Sequence, residues 1–171
     1  MLLHGPPGVG KTSIVKSIAK CLNRPYGRIS LGGEYDTSIM KGHRKTYVGA
    51  YPGKIFDTIH KAKAENPVIL LDEIDKIQNR AGGASLQDVV MEVLDPIQNT
   101  RFKDDYVDLE IDLSNVLFIC TANSLETIFP PLLDRFERIE VTGYTTHEKE
   151  EIFKRYIVKN SIHSAGIPED V

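Results

Sequence analysis

The sequence predicts an α/β fold built on a mostly parallel sheet. Three observations predict it. Short β-type apolar runs alternate along the chain with stretches of helical period, the pattern of strands joined by crossover helices. The run 68–71, Val-Ile-Leu-Leu, is apolar at every position, so it belongs to a strand covered on both faces. A glycine-rich turn carrying a lysine, residues 5–12, separates the first apolar run from the first helical period. That is the strand–loop–helix context of a phosphate-binding turn.

The elements follow in order. Leu2 and Leu3 form a very short first strand. Ile14, Val15, Ile18, Ala19 and Leu22 share one helical face, which predicts a helix over 12–22. A second β-type run is Ile29-Ser30-Leu31. Ile55, Phe56 and Ile59 recur at helical spacing, and Pro67 ends that segment before the strand at 68–71. Leu86, Val89, Val90, Val93 and Leu94 mark another helix, closed by Asp95-Pro96. The polar, alternating stretch 101–112 predicts a small hairpin. Strands follow at 116–120 and 139–141. Thr145 and Glu148 have capping-box spacing and open a helix with Ile152, Phe153, Tyr156 and Ile157 on one side. The first strand is so short, and the last helix has so little sequence left to cover its apolar face, that the chain is expected to be a piece of a longer protein.

Composition narrows the function classes. At 171 residues the chain is about one domain, and at 41% hydrophobic it can bury a core. A net charge of −3 argues against a nucleic-acid arm or an anionic-membrane binder. No apolar run approaches the ~20 residues that span a bilayer, and the N-terminus has no signal-peptide pattern. Cys21 and Cys120 lie far apart with no C-x-x-C spacing, which excludes a disulfide scaffold and a cysteine-based zinc site and suits a reducing compartment.

The chemistry-bearing residues fall at strand ends. Gly5-Pro6-Pro7-Gly8-Val9-Gly10-Lys11-Thr12 fits G-x-x-x-x-G-K-[ST]. Its glycines let backbone N–H groups turn toward a phosphate, and the helix that follows adds its positive end. Lys11 would reach the β- and γ-phosphates and Thr12 would bind Mg²⁺. Asp72 and Glu73 close the apolar strand, where open α/β sheets bind ligands. Asp72 would hold the Mg²⁺ shell and Glu73 would act as general base on the attacking water. Asn123 ends the 116–120 strand and either orients that water or serves as a plain turn residue. Arg135 follows Leu132-Leu133-Asp134 and is either functional or a surface arginine paired with Asp134.

Together these residues resemble an AAA+ ATPase, and the finer text resembles one branch, the ATP-dependent Lon proteases. The similar stretches include 5–13, 42–55 (Gly-His-Arg-Lys-Thr-Tyr-Val-Gly-Ala-Tyr-Pro-Gly-Lys-Ile), 65–67, 71–77, 94–96 with Gln98-Asn99, and 112–123. Of these, 42–55 is the most specific, because generic AAA+ modules do not carry it. The resemblance implies a P-loop NTPase fold, the AAA+ large subdomain, with a five-stranded sheet in the order 5-1-4-3-2. It divides the chain into the α/β nucleotide-binding subdomain, 1–144, and the start of a helical lid, 145–171. It implies ATP and Mg²⁺ as ligands, with the phosphate loop running through Ser13. It gives Asn123 the sensor-1 role, Arg135 the arginine finger acting on a neighbouring subunit's nucleotide, and Tyr47-Val48 the pore loop that grips polypeptide. A second pore loop would fall at 79–84, within a stretch that departs from the family's usual helix start.

The parent protein implied is a homo-hexameric Ser–Lys protease of bacterial cytoplasm or mitochondrial matrix, threading unfolded or damaged proteins into a proteolytic chamber. The N-domain, the sensor-2 arginine of the lid and the protease domain have no counterpart in this chain. Neither a membrane nor a nucleic acid is indicated as a partner. The isolated chain is expected to be mostly monomeric, because hexamer contacts made by other domains are missing. Two rivals stand beside this reading: an AAA+ unfoldase without a protease, and a nucleotide-binding adaptor that does not hydrolyse. Glu73 disfavours the second.

Overall fold

The computed structural model describes residues 1–78, 85–158 and 161–162 of the chain. The expected second pore loop at 79–84 lies outside the described residues. The chain divides into two compact units, Met1–Val141 and Thr142–Val171.

Among the described residues, the first unit holds seven strands and five α-helices. In chain order these are β1 (Leu2–His4), α1 (Lys11–Cys21), β2 (Tyr26–Ser30), α2 (Ser38–Lys41), α3 (Lys54–Ala62), β3 (Val68–Asp72), α4 (Leu86–Leu94), β4 (Phe102–Asp104), β5 (Leu109–Ile111), β6 (Leu117–Ala122), α5 (Pro130–Leu133) and β7 (Arg138–Glu140). Five strands form one sheet in the order β2-β3-β6-β1-β7. Every pairing in it is parallel. Numbering only these five along the chain and reading from the β7 edge, the order is the expected 5-1-4-3-2. β4 and β5 form the separate antiparallel hairpin predicted for 101–112.

Alternation along the strands splits the core into two layers. Val68, Leu70, Ile119 and Leu3 point to the face covered by α1, where Val15 and Ala19 meet them. Ile69, Leu71, Ile29, Leu2 and Cys120 point to the other face, against Ile55 of α3, Val89, Val90 and Val93 of α4, and Phe102 of the hairpin. β3 is buried along its whole length, as its unbroken apolar run requires.

The departures from the sequence reading are local. β2 begins at Tyr26, three residues before the apolar run, because Tyr26, Gly27 and Arg28 pair with Val68, Ile69 and Leu70. It is an edge strand, so polar and half-exposed positions are tolerated there. α2 and α5, four residues each, are too short to leave a periodic signal. β6 runs two residues further than the apolar run, through Thr121 and Ala122, both buried.

In the second unit, α6 (Thr146–Ile152) opens on the expected capping box. Thr145 Oγ1 accepts the Glu148 N–H at 3.3 Å, and Glu148 Oε2 accepts the Thr145 N–H at 2.8 Å. The Thr145 N–H, and after it the Thr145 hydroxyl, hold the Glu148 carboxyl below the usual carboxylate range. A π-helical turn, Phe153–Ile157, continues it, with Phe153, Tyr156 and Ile157 exposed.

The strength of the core gives a first prediction. Ile69 is fully buried at the heart of the larger layer. Ile69→Ala is expected to lower the unfolding free energy by roughly 2–5 kcal/mol, the cost of lost burial plus a cavity. Val48→Ala, at a fully exposed position, should change it by less than about 0.5 kcal/mol. Urea titrations of the two variants check both values; equal midpoints would contradict this account of the core.

Candidate active site

Parallel strands bring their C-terminal ends to one edge of the sheet, and the site lies along that edge. β1 leads into the loop 5–10, and the loop hands the chain to α1 at Lys11. Gly10, at the helix N-cap, has φ 84° and ψ 19°, a left-handed conformation that a side chain would strain. Among the described residues no side chain caps this helix, and its first N–H groups face the cleft. The cleft measures about 370 Å³, within the ~300–1,000 Å³ span of small-molecule sites. Its walls are residues 7–12 of the loop and helix start, with Arg28, Asp72, Glu73, Lys76 and residues 121–123.

Lys11 is 8% exposed. Its ammonium donates to Gly5 O at 2.6 Å, to Pro6 O at 3.0 Å and to Asn123 Oδ1 at 2.9 Å. Burial lowers its pKa from the ordinary lysine value, and the carboxylates of Asp75, Asp72 and Glu73 partly offset that.

The acidic end of β3 is built from both neighbouring strands. Asp72 is 5% exposed. From β2, Arg28 places Nε at 2.8 Å and Nη2 at 2.7 Å from Asp72 Oδ2. From β6, the buried hydroxyl of Thr121 donates to Asp72 Oδ1 and accepts the Glu73 N–H, the latter at 3.1 Å. Glu73 itself sits at φ 60° and ψ 48°, a left-handed conformation that costs a non-glycine residue of order 1 kcal/mol or more. Its carboxylate is met by the Lys76 ammonium, and this hydrogen bond is the main cause of the raised Lys76 pKa. Asp75 Oδ2 accepts the N–H groups of Asn123 at 3.1 Å and Ser124 at 3.2 Å, which ties the acidic turn to the end of β6.

The structure therefore brings together Gly8, Gly10, Pro7, Val9, Lys11, Thr12, Asp72, Glu73 and Asn123 around one cleft. Gly5 and Pro6 stand behind it and hold Lys11 through their carbonyls. Ser13 is on the exposed side of α1 and does not line it. Arg135 does not line it either; its Nη1 is 2.7 Å from Asp95 Oδ2, so the partner is Asp95 rather than Asp134. Asp95 lies below the usual carboxylate range, chiefly through the Ile97 N–H and then Arg135. Tyr47 and Val48 are 65% and 107% exposed, at the tip of the loop 43–52 and away from the cleft.

Four residues of this arrangement escaped the sequence reading: Arg28, Asp75, Lys76 and Thr121. Two left a signal. Arg28 places a charge directly before an apolar run, and Thr121 follows one with a hydroxyl. Thr12 and Asp72 suit Mg²⁺, a hard cation bound by one or two carboxylates that keeps several waters. A hydroxyl and one buried carboxylate on the same cleft are that donor set.

The chain matches the ATPase family associated with various cellular activities (AAA) over residues 1–144. It is 54% identical over 168 residues to a mitochondrial Lon protease homologue of Scheffersomyces stipitis, an overlap of 98% of this chain and 15% of that protein. It is 54% identical over 163 residues to the mitochondrial Lon protease homologue of Saccharomyces cerevisiae, covering 95% of this chain and 14% of that protein. With the Lon protease of Clostridium acetobutylicum it shares 52% identity over 170 residues, covering 99% of this chain and 22% of that protein. The chain thus spans less than a quarter of the length of these curated relatives.

Thr121 supplies a prediction. Thr121→Val keeps the shape but leaves Asp72 Oδ1 and the Glu73 N–H without their partner. A loss of roughly 1–3 kcal/mol in stability is expected, the cost of an unsatisfied buried polar group. Thr121→Ser should recover most of it. Equal stability of the valine and serine variants in urea would show that the hydroxyl is not needed.

Proposed function

The chain belongs to the ATPase family associated with various cellular activities, and from that premise we propose that it is the ATP-hydrolysing motor core of a Lon-like ATP-dependent protease. The observation that carries the hydrolytic reading is the convergence of Lys11, Asp72, Glu73 and Asn123 on one cleft at the N-terminal end of α1. The high identity to Lon proteases favours this reading over an unfoldase that lacks a protease.

The geometry of the cleft supports the following assignment of roles. The N–H groups at the start of α1, with the Lys11 ammonium, cradle the phosphates of ATP. Thr12 and Asp72 would hold Mg²⁺, which would supply neutralisation of phosphate charge. Arg28 and Thr121 keep the Asp72 carboxylate oriented, because each of its oxygens already accepts a hydrogen bond. Glu73 takes the proton of the attacking water and Asn123 orients it. Lys76 holds the Glu73 carboxylate in this structure, so Glu73 must turn away from Lys76 to act as base. Arg135, exposed and outside its own cleft, acts on the nucleotide of a neighbouring subunit in a homo-hexamer. Tyr47 and Val48 grip an unfolded or damaged protein substrate. Residues 1–144 form the nucleotide-binding subdomain and 145–171 begin a helical lid. A bacterial cytoplasm or a mitochondrial matrix is the compartment consistent with the names of the relatives.

In the full-length protein, Glu73→Gln is expected to keep ATP binding while turnover falls at least ~100-fold, the scale of general-base loss. Nucleotide binding by fluorescence and phosphate release in the same preparation test this. Wild-type turnover would remove Glu73 from the role. Tyr47→Ala is expected to lower the ratio of folded-protein degradation to small-peptide cleavage at least ~10-fold, since only the folded protein has to be pulled and grip depends on placement. An unchanged ratio would show that Tyr47 is not the grip.

A further inference from the structure

One end of the exposed loop 43–52 is bonded to a buried carboxylate, and the other passes close beside it. Asp104, the last residue of β4, is 0% exposed. Its Oδ1 accepts the N–H groups of Tyr106 and Val107, each at 2.9 Å, and so shapes the turn of its own hairpin. Its Oδ2 reaches across to the loop and accepts the Gly53 N–H at 2.8 Å. Among the described residues no lysine, arginine or histidine forms an ion pair with it. A buried carboxylate without a countercharge is expensive unless every lone pair is used, so the Gly53 bond is part of what makes its burial possible.

The backbone at the loop base has been cleared for this contact. A Cβ at Gly53 would stand 2.0 Å from Met40 O and 2.9 Å from Asp104 Oδ2. A Cβ at Gly42 would stand 2.8 Å from Gly53 N and 3.0 Å from Asp104 Oδ1. Only glycines let the two ends meet on the charge. Two further bonds reinforce the base: Asp105 N–H to Lys41 O at 2.7 Å, and His43 N–H to Tyr51 O at 3.0 Å. Beyond them, the hydrogen bonds made within the loop are short-range: Tyr47 N–H to Arg44 O, and Ala50 N–H to Tyr47 O. Apart from the Lys45 ammonium, which lies 5.5 Å from the centre of the Tyr106 ring of the hairpin, the tip depends on its base for direction.

We propose that Asp104 is a positioning residue for polypeptide handling: its carboxylate fastens the base of loop 43–52 to the β4–β5 hairpin, so that Tyr47 and Val48 meet the substrate from a fixed platform. The proposal rests on the reading of Tyr47 as the grip. Pull on the tip is resisted at Gly53 and passed to the hairpin, whose Phe102 is buried in the larger core layer. Order at the base lowers the entropy lost when the tip closes on a chain.

Asp104→Asn separates the two duties of the side chain. The amide oxygen can still accept from Tyr106 and Val107, while the amide N–H₂ opposes the Gly53 N–H, donor against donor. The test uses the full-length protein with a nitroxide on Val48→Cys, other accessible cysteines replaced, and a control label on Lys61→Cys. In Asp104→Asn the label at 48 should become more mobile and the label at 61 should not. In the unlabelled variant, the ratio of degradation of a stably folded fluorescent protein with an unstructured tail to cleavage of a small fluorogenic peptide should fall ~10-fold, as for a misplaced contact.

Unchanged mobility at 48 would overturn the anchor. Raised mobility with a normal ratio, in a protein where Tyr47→Ala is defective, would overturn the claim that the anchor serves the grip. Normal ratios in both Asp104→Asn and Tyr47→Ala would instead remove Tyr47 from its role, while the mobility change alone would still support the anchor. If Asp104→Asn does not fold, wild-type hydrogen exchange decides. The Gly53 amide should exchange at least ~100-fold more slowly than the amides of 45–49; equal rates would overturn the proposal.

Discussion

A charge at the end of a dry strand governs this structure. β3 is buried at every position, yet it ends in Asp72. A buried carboxylate must be matched on each oxygen or the strand end cannot stay where it is. Arg28 comes from one side and Thr121 from the other, so the requirement is met only when β2, β3 and β6 stand in their observed register. A slip by one residue in either neighbour would turn the needed side chain to the opposite face. The same register carries Glu73 and Asn123 to the edge where the phosphate loop lies, because parallel strands all finish on one side.

The cleft and the exposed loop follow different physical rules. Around the cleft the polar groups are close, with Lys11, Asp72 and Thr121 buried, and they are held by one another: Lys11 to Asn123, Thr121 to both acidic residues, Asp75 to the Asn123 backbone. In that setting small displacements matter, since shielded charges interact strongly. The loop 43–52 is open to water, and its tip gains little from local contacts. Its order comes from below, from a buried carboxylate and two glycines at the base. Asp72 and Asp104 are alike in this respect. Each is a buried acid whose partners come from different segments of the chain, and each ties a working residue to the core.

Arg135 illustrates a third situation. It is neither in the cleft nor free; Asp95, at the end of α4, holds its guanidinium. The exposed ion pair is weak enough to exchange for a stronger phosphate contact. That behaviour suits a residue proposed to act on a neighbouring subunit.

Much of this was legible in the residues alone. The alternation of apolar runs and helical periods specified the α/β sheet, since burial on both faces and the helical period leave separate marks on the chain. The phosphate loop and the Asp72-Glu73 pair could be read because their residues are contiguous and their chemistry is local. The capping box at Thr145 was legible for the same reason. What the sequence could not yield were the pairings between segments far apart in the chain: Arg28 with Asp72, Thr121 with Asp72, Arg135 with Asp95 rather than Asp134, and Asp104 with Gly53. Spacing along a chain carries no trace of which buried acid a distant donor will satisfy. That is decided by strand order and register, and those exist only once the sheet has formed.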